Sequence, residues 1–262
     1  MLETLEAWDG TVAEPRHAAT VVVLRSTATG LEVFLMRRRA SMGFAAGMYV
    51  FPGGSVQETD YDVTPWIGSA PEIWGQRFSC EPRLAGALVV AAAREAFEET
   101  GILFAGPDEG SVVGEVQPAE WAQARQALEA KEISFAELLR DGGLSLRADL
   151  LGAWAHWITP AFEPRRFDTR FFVASMPAGQ SVGQLSSEAD TGSWVEVGEA
   201  WRAARAEEME MLPPTRHTIA GLARLKRASV LEEAGRREIE CILPEVVEAD
   251  GRRSLLLPTD AQ

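Results

Sequence analysis

The chain is built from short apolar runs cut by turn residues, and the period of each run predicts its element. Ala18 to Leu24 is β-branched and apolar, the pattern of a buried strand. Thr29-Gly30 marks a turn, and Leu31 to Met36 alternates well enough for an antiparallel partner. Tyr49 to Phe51 predicts a short strand running into the turn Pro52-Gly53-Gly54. Residues 55–83 mix Pro, Gly, Trp and acids without a period, which predicts an inserted lobe of loop and short helical pieces. From about Pro82 to Thr100 the chain is helical, with Pro82 in the first turn and Gly101 just past the end.

Beyond it, residues 107–114 are turn-rich. Residues 118–140 are helical in composition with a break at 132–134, and Gly142-Gly143 ends that segment. Strands are expected at 153–159, 167–175 and 193–197, a helix at 197–208, and one long amphipathic helix at 213–234. Two late strands are expected at 239–243 and 254–257. Strands before and after isolated helices indicate an α/β fold with a mixed sheet between helices, not a regular βαβ chain. At 262 residues this reads as a single domain, 1–262, with 55–83 inserted in it.

Composition adds a hydrophobic content of 46%, ample for a core. The net charge of −14 argues against nucleic acid as a partner, and it would also repel a diphosphate unless cations and local arginines drew it in. Arg37-Arg38-Arg39 and Arg165-Arg166 are the basic clusters that stand out. No run approaches a membrane span, and MLETLEAWDG has no basic or long apolar leader. Cys80 and Cys241 show no metal-ligand spacing or disulfide framework, so a cytoplasmic, reducing setting is expected. A homo-oligomer is left open.

The chemistry concentrates in Arg94-Glu95-Ala96-Phe97-Glu98-Glu99-Thr100-Gly101-Ile102. On a helix, Glu95, Glu98 and Glu99 stand at i, i+3 and i+4 and share one face. The rest of the helix is apolar nearly all round, so these carboxylates converge beside a core and call for a positive partner. Hard oxygen donors at this spacing suit Mg²⁺ or Mn²⁺.

The run resembles the signature of the Nudix hydrolases, Gly-x5-Glu-x7-Arg-Glu-U-x-Glu-Glu-x-Gly-U with U aliphatic. Its glycine end is Phe51-Pro52-Gly53-Gly54, and roughly 26 extra residues interrupt the box. Counted back from Arg94, the isolated Glu of the pattern falls on Gly86. Arg38 to Gly54, Trp157 to Pro160, Arg165 to Thr169, Leu212-Pro213-Pro214, Ala249-Asp250-Gly251 and Leu256-Leu257-Pro258 are similar to a peroxisomal coenzyme A diphosphatase subfamily that also carries an insertion in the box. Gly43 stands where the coenzyme A motif has a basic residue.

The resemblance implies a Nudix α/β/α sandwich with a mixed central sheet, an inserted lobe and extra helices. It implies hydrolysis of the diphosphate bond in a nucleotide conjugate, with coenzyme A or acyl-coenzyme A the first substrate class. A sugar-nucleotide, a dinucleotide, NADH or a non-catalytic nucleotide-binding role are the alternatives. The metal is then Mg²⁺ or Mn²⁺ on Glu95, Glu98, Glu99 and the Gly53 carbonyl. Arg94 holds a glutamate rotamer, Arg38, Gly54 and Arg166 meet the substrate, and Glu188 is the expected base, with Glu98 or Glu99 as alternatives. His17, His156 and His217 are expected to be structural. Trp66 and Trp74 either stack on a base or, the safer reading, pack in the core.

Overall fold

The computed structural model describes residues 5–42, 45–116, 119–187, 189–225, 230–249 and 252–256. Its centre is a mixed sheet laid around β1 (Arg16–Ser26), which pairs antiparallel with β2 (Leu31–Arg38) and parallel with β9 (Phe167–Ser175). β8 (Leu151–Ile158) continues beyond β9 and β11 (Cys241–Ile242) closes that edge. β10 (Ala189–Glu196) forms the other edge on β2. β3 (Tyr49–Val50) pairs with the end of β2, and β4 (Gly53–Ser55) with the start of β1.

The hairpin follows from the pattern of β1. Ala19, Val21 and Val23 enter one core, and Val22 and Leu24 enter the other. A strand buried on both faces needs a layer on each side. The first layer is α2 (Pro82–Thr100), backed by α1 (Pro71–Phe78). The opposite layer is α5 (Val197–Arg205), α6 (Pro213–Ala223) and α7 (Val230–Arg236). This is the expected α/β/α sandwich.

The long helix expected at 213–234 is two helices. α6 lies where Gly221 approaches the Trp154 ring, whereas Ala234 of α7 sits over Gly152, so each piece follows its own contact on β8. The helical stretch 118–140 divides where expected, into α3 (Ala119–Glu129) and α4 (Phe135–Asp141); Ser134 caps α4 through a reciprocal bond with Glu137. A late hairpin of β12 (Glu245–Ala249) and β13 (Arg252–Leu256) includes one strand not anticipated from the pattern. No helix among the described residues is long and apolar enough to cross a membrane.

The interrupting segment is stitched to the body in two places. β5 (Trp66–Ile67) joins β7 (Ser145–Arg147), which also pairs with β6 (Ala105–Gly106). Arg77 of α1 donates to the carbonyls of Ala234, Gly235 and Arg237 at the end of α7. Trp74 is buried and packs with Phe78 and Phe172, which is the core reading of that tryptophan; Trp66 donates its ring N–H to the Ser69 carbonyl.

Candidate active site

α2 begins with Pro82 at a position where its missing N–H costs nothing, and ends where Gly101 takes the left-handed conformation at φ 74°. The helix is buried almost throughout, including Arg94, Glu95 and Glu99. Arg94 is the hub, only 1% exposed. Its Nη1 donates to Glu95 Oε1 at 2.8 Å and to Glu98 Oε2 at 3.0 Å. Nε and Nη2 donate to the two oxygens of Asp60 at 2.8 and 2.9 Å, and Nη2 also to the Ser55 carbonyl at 3.0 Å. A planar guanidinium can serve all these acceptors at once; a lysine could not.

Asp60, 2% exposed, is the residue that sequence reasoning missed. Counting back from Arg94 puts the box acid on Gly86, which in the structure lies against Pro71. Counting forward from Gly54, the fifth intervening residue is Thr59 and the next is Asp60. The forward count was the available signal: the interruption falls between the acid and its arginine, so only the glycine end keeps register.

The two glycines of the turn are needed for different reasons. A Cβ on Gly53 would lie 2.5 Å from the Ala19 carbonyl oxygen and 2.8 Å from Thr20 Cα, because β4 lies tight on β1. A Cβ on Gly54 would lie 2.4 Å from Glu95 Oε1, so the bare main chain makes room for that carboxylate. Gly53 donates its N–H to Glu99 Oε2 at 2.9 Å. Thus Arg94 holds Glu95 and Glu98, and the glycine turn holds Glu99.

Burial is the main reason the Glu98 carboxyl is pushed up to about 7; Arg94 opposes this, while Glu95 and Asp60 add to it. Burial would lower the Arg94 guanidinium, but Asp60, Glu95 and Glu98 outweigh it and keep it charged. Among the described residues, no three of His, Cys, Asp and Glu close around one point as a metal cage: Glu95 and Glu98 share Arg94 Nη1, and Glu99 is turned to the Gly53 amide. The donor set nonetheless fits a hard divalent cation: three carboxylates along one face of a buried helix, with Arg94 the cation that Glu95 and Glu98 share.

The remaining expected site residues fall as follows. Arg38 ends β2 opposite Ala189, the first residue of β10. Arg166 is buried with its guanidinium on the Thr159 and Ala13 carbonyls at 3.0 and 2.7 Å, so it fastens the N-terminal arm. Glu188 lies outside the described residues, as do Gly43 and Phe44. His17 and His156 both pair with Asp168, and His217 packs edge-on to Trp157. Burial would raise Asp168, yet the bonds from His156 and Arg170 prevail and hold its carboxyl well below the usual range. A cleft of about 950 Å³ has Arg94, Ser55, His17 and Tyr61 in its walls, but none of the three glutamates lines it.

The chain is similar to known proteins over much of its length. The family model described as the NUDT19 Nudix domain matches residues 82–222, from the start of α2 into α6. The acyl-coenzyme A diphosphatase NUDT19 of Xenopus laevis is 22% identical over 277 residues, covering 85% of this chain and 71% of the frog protein. Its Homo sapiens counterpart is 27% identical over 241 residues, covering 79% of this chain and 64% of the human protein, so the chain spans less than two thirds of that relative. The crystal structure of a Nudix hydrolase from Alicyclobacillus acidocaldarius superimposes with a TM-score of 0.65 at 27% identity, covering 81% of this chain and 93% of the other.

Proposed function

The chain belongs to the Nudix hydrolases, in the NUDT19 branch, and on that premise we propose that it hydrolyses the diphosphate bond of a nucleoside diphosphate joined to a second moiety. Coenzyme A or acyl-coenzyme A is the first substrate class, supported by the names of the frog and human relatives. The observation that carries the reading is the Arg94 hub with Glu95 and Glu98 on it, closed by Glu99 on the Gly53 amide.

Nudix hydrolases generally use divalent metals, and here Glu95, Glu98 and Glu99 would hold Mg²⁺ or Mn²⁺, with the Gly53 carbonyl as a further ligand. When bound, the ion would neutralise phosphate charge and favour deprotonation of water. The protein's own part is orientation. Arg94 locks two carboxylate rotamers by charge-assisted bonds, and Asp60 locks Arg94. Burial pushes the Glu98 carboxyl up to about 7, and a bound dication would bring it down and keep it a carboxylate ligand. Glu188 is the proposed base, supported by its place two residues after Ser186, whose N–H donates to the Glu99 carbonyl; Glu98 and Glu99 are the alternatives. Arg38, at the end of β2 opposite Ala189, is proposed to meet phosphate, as is the main chain at Gly54 beside Glu95.

The test is hydrolysis of coenzyme A, an acyl-coenzyme A, a sugar-nucleotide, a dinucleotide and NADH with Mg²⁺ or Mn²⁺, with products identified by mass. Cleavage at the diphosphate is expected, and Glu98→Gln should cost at least about a hundredfold in rate, a few kcal/mol of barrier, while the protein stays folded. No cleavage of any substrate with either metal would overturn the reading.

A further inference from the structure

The last turn of α2 leaves carbonyls without helical partners. The Gly101 N–H reaches back to the Phe97 carbonyl at 2.9 Å, but the next two amides turn elsewhere: Ile102 donates to Thr100 Oγ1 and Leu103 to Gln180 Oε1. The carbonyls of Glu98, Glu99 and Thr100 are met from outside the helix instead. Gly183 N–H donates to Thr100 at 2.8 Å and Ser186 N–H to Glu99 at 3.2 Å. Arg125 of α3 donates from Nε to the Glu98 carbonyl at 2.8 Å, and from Nη2 to the same oxygen. Its Nη1 donates to the carbonyl of Gln184, inside the same 183–186 segment.

Arg125 thus ties the main chain of Glu98 to the segment that ties the main chains of Glu99 and Thr100. It stands outside the glutamate motif, on a separate helix. Its side chain is only 13% exposed and is further held by Glu129 at 3.2 Å. A cation at this end of the helix complements the negative pole of the helix dipole. Charge alone does not account for the arrangement: the planar fork spans two carbonyls from different segments, which an ammonium on a flexible stem does not reproduce. The outcome is a fixed backbone beneath two of the three site carboxylates.

From this geometry we infer that Arg125 is a positioning residue for the hydrolysis proposed above, setting the end of the glutamate helix and the 183–186 segment relative to one another. The inference rests on that proposed function. It acts through the main chain of Glu98, so it should govern turnover more than substrate affinity.

Arg125→Lys and Arg125→Ala test it, with kcat and KM on a substrate that the wild type cleaves and with amide hydrogen exchange at Gly183 and Ser186. We expect kcat to fall about tenfold in Arg125→Lys and further in Arg125→Ala, with KM within about twofold of wild type, where tenfold is about 1.4 kcal/mol. Exchange at Gly183 and Ser186 should quicken in the same order. If Arg125→Ala does not fold, Arg125→Lys carries the comparison. A folded variant that melts earlier but keeps wild-type kcat makes Arg125 a plain structural tie and overturns the inference, as does unchanged exchange. A wild type that cleaves nothing would defeat the proposed function, and the exchange measurement would still decide whether Arg125 holds the segment.

Discussion

Replacing Asp60 by Ala removes the carboxylate that fills the fork of a buried arginine. Arg94 keeps Glu95, Glu98 and the Ser55 carbonyl, but its Nε loses the partner 2.8 Å away, and the side chain is only 2% exposed. Breaking a buried ion pair from one side costs about 3–5 kcal/mol, and the surviving acceptors place this case at the lower end. For a domain of this size each kcal/mol shifts the melting temperature by about 2–4 °C, so a drop on the order of 10 °C is expected. Turnover should fall as well, because Arg94 is then held by fewer bonds and fixes the two glutamates less firmly. The assay is urea unfolding of the metal-free protein for Asp60→Ala, Arg94→Ala and the double variant. Contacting residues couple by about 0.5–3 kcal/mol, and the upper part of that range is expected here. If the two single effects add to within about 0.5 kcal/mol, the value ordinary for independent sites, Asp60 is not the clamp on Arg94.

The two turn glycines should separate folding from catalysis. Gly53→Ala drives a methyl into the main chain of Ala19 and Thr20 and should destabilise by about 1–3 kcal/mol, whereas Gly54→Ala meets only the movable end of Glu95 and should fold normally yet lose most activity; melting and rate measured side by side check this, and equal melting losses would contradict it. The Glu98 carboxyl is pushed up to about 7 from an ordinary 4.5, so the metal-free native state holds a proton that the unfolded chain releases. Stability should therefore be highest below about pH 4.5 and fall as pH rises through about 7, by a few kcal/mol, because each pH interval of one between those two values is worth about 1.36 kcal/mol. The Asp168 contribution has the opposite sign but lies below the ordinary 3.8, outside that window. Urea midpoints in chelator at pH 5 and pH 8 read the effect, and Glu98→Gln should flatten it; a midpoint that rises with pH would refute the assignment. Arg77→Ala should cost about 1.5–3 kcal/mol through the carbonyls it leaves at the end of α7, measured by urea unfolding, and an unchanged midpoint would show that α1 is not braced there.

What the sequence made legible was what local rules decide. The β1–β2 hairpin, the extent of α2 from Pro82 to its glycine cap and the shared face of the three glutamates all follow from period and capping. The break between α3 and α4 was legible for the same reason, since Ser134 and Glu137 form a capping box. What could not be read is what distant contacts decide. The division of 213–234 depends on where Trp154 and Gly152 lie on β8. The docking of α1 depends on Phe172 and on the end of α7, far along the chain. The contacts of Arg166, expected to meet the substrate, depend on distant chain: its guanidinium lies on carbonyls of the N-terminal arm and of the β8–β9 connection. Asp60 lies between these cases: its spacing from Gly54 is plain in the chain, but its partner is more than thirty positions away, at Arg94.

That partnership bears on how such a chain can change over generations. The stretch between Asp60 and Pro82 departs beside this clasp and comes back to it down the buried length of α2, so the glutamates are held from the far side of the segment. Closing a longer loop across the same two points costs only about 0.6 kcal/mol for each doubling of length. Residues added between Asp60 and Pro82 leave the carboxylates in place, provided the clasp, the buried part of α2 and the α1 brace hold. The Asp60–Arg94 pair is therefore a graft point, where new surface can be acquired next to an old chemistry without renegotiating it.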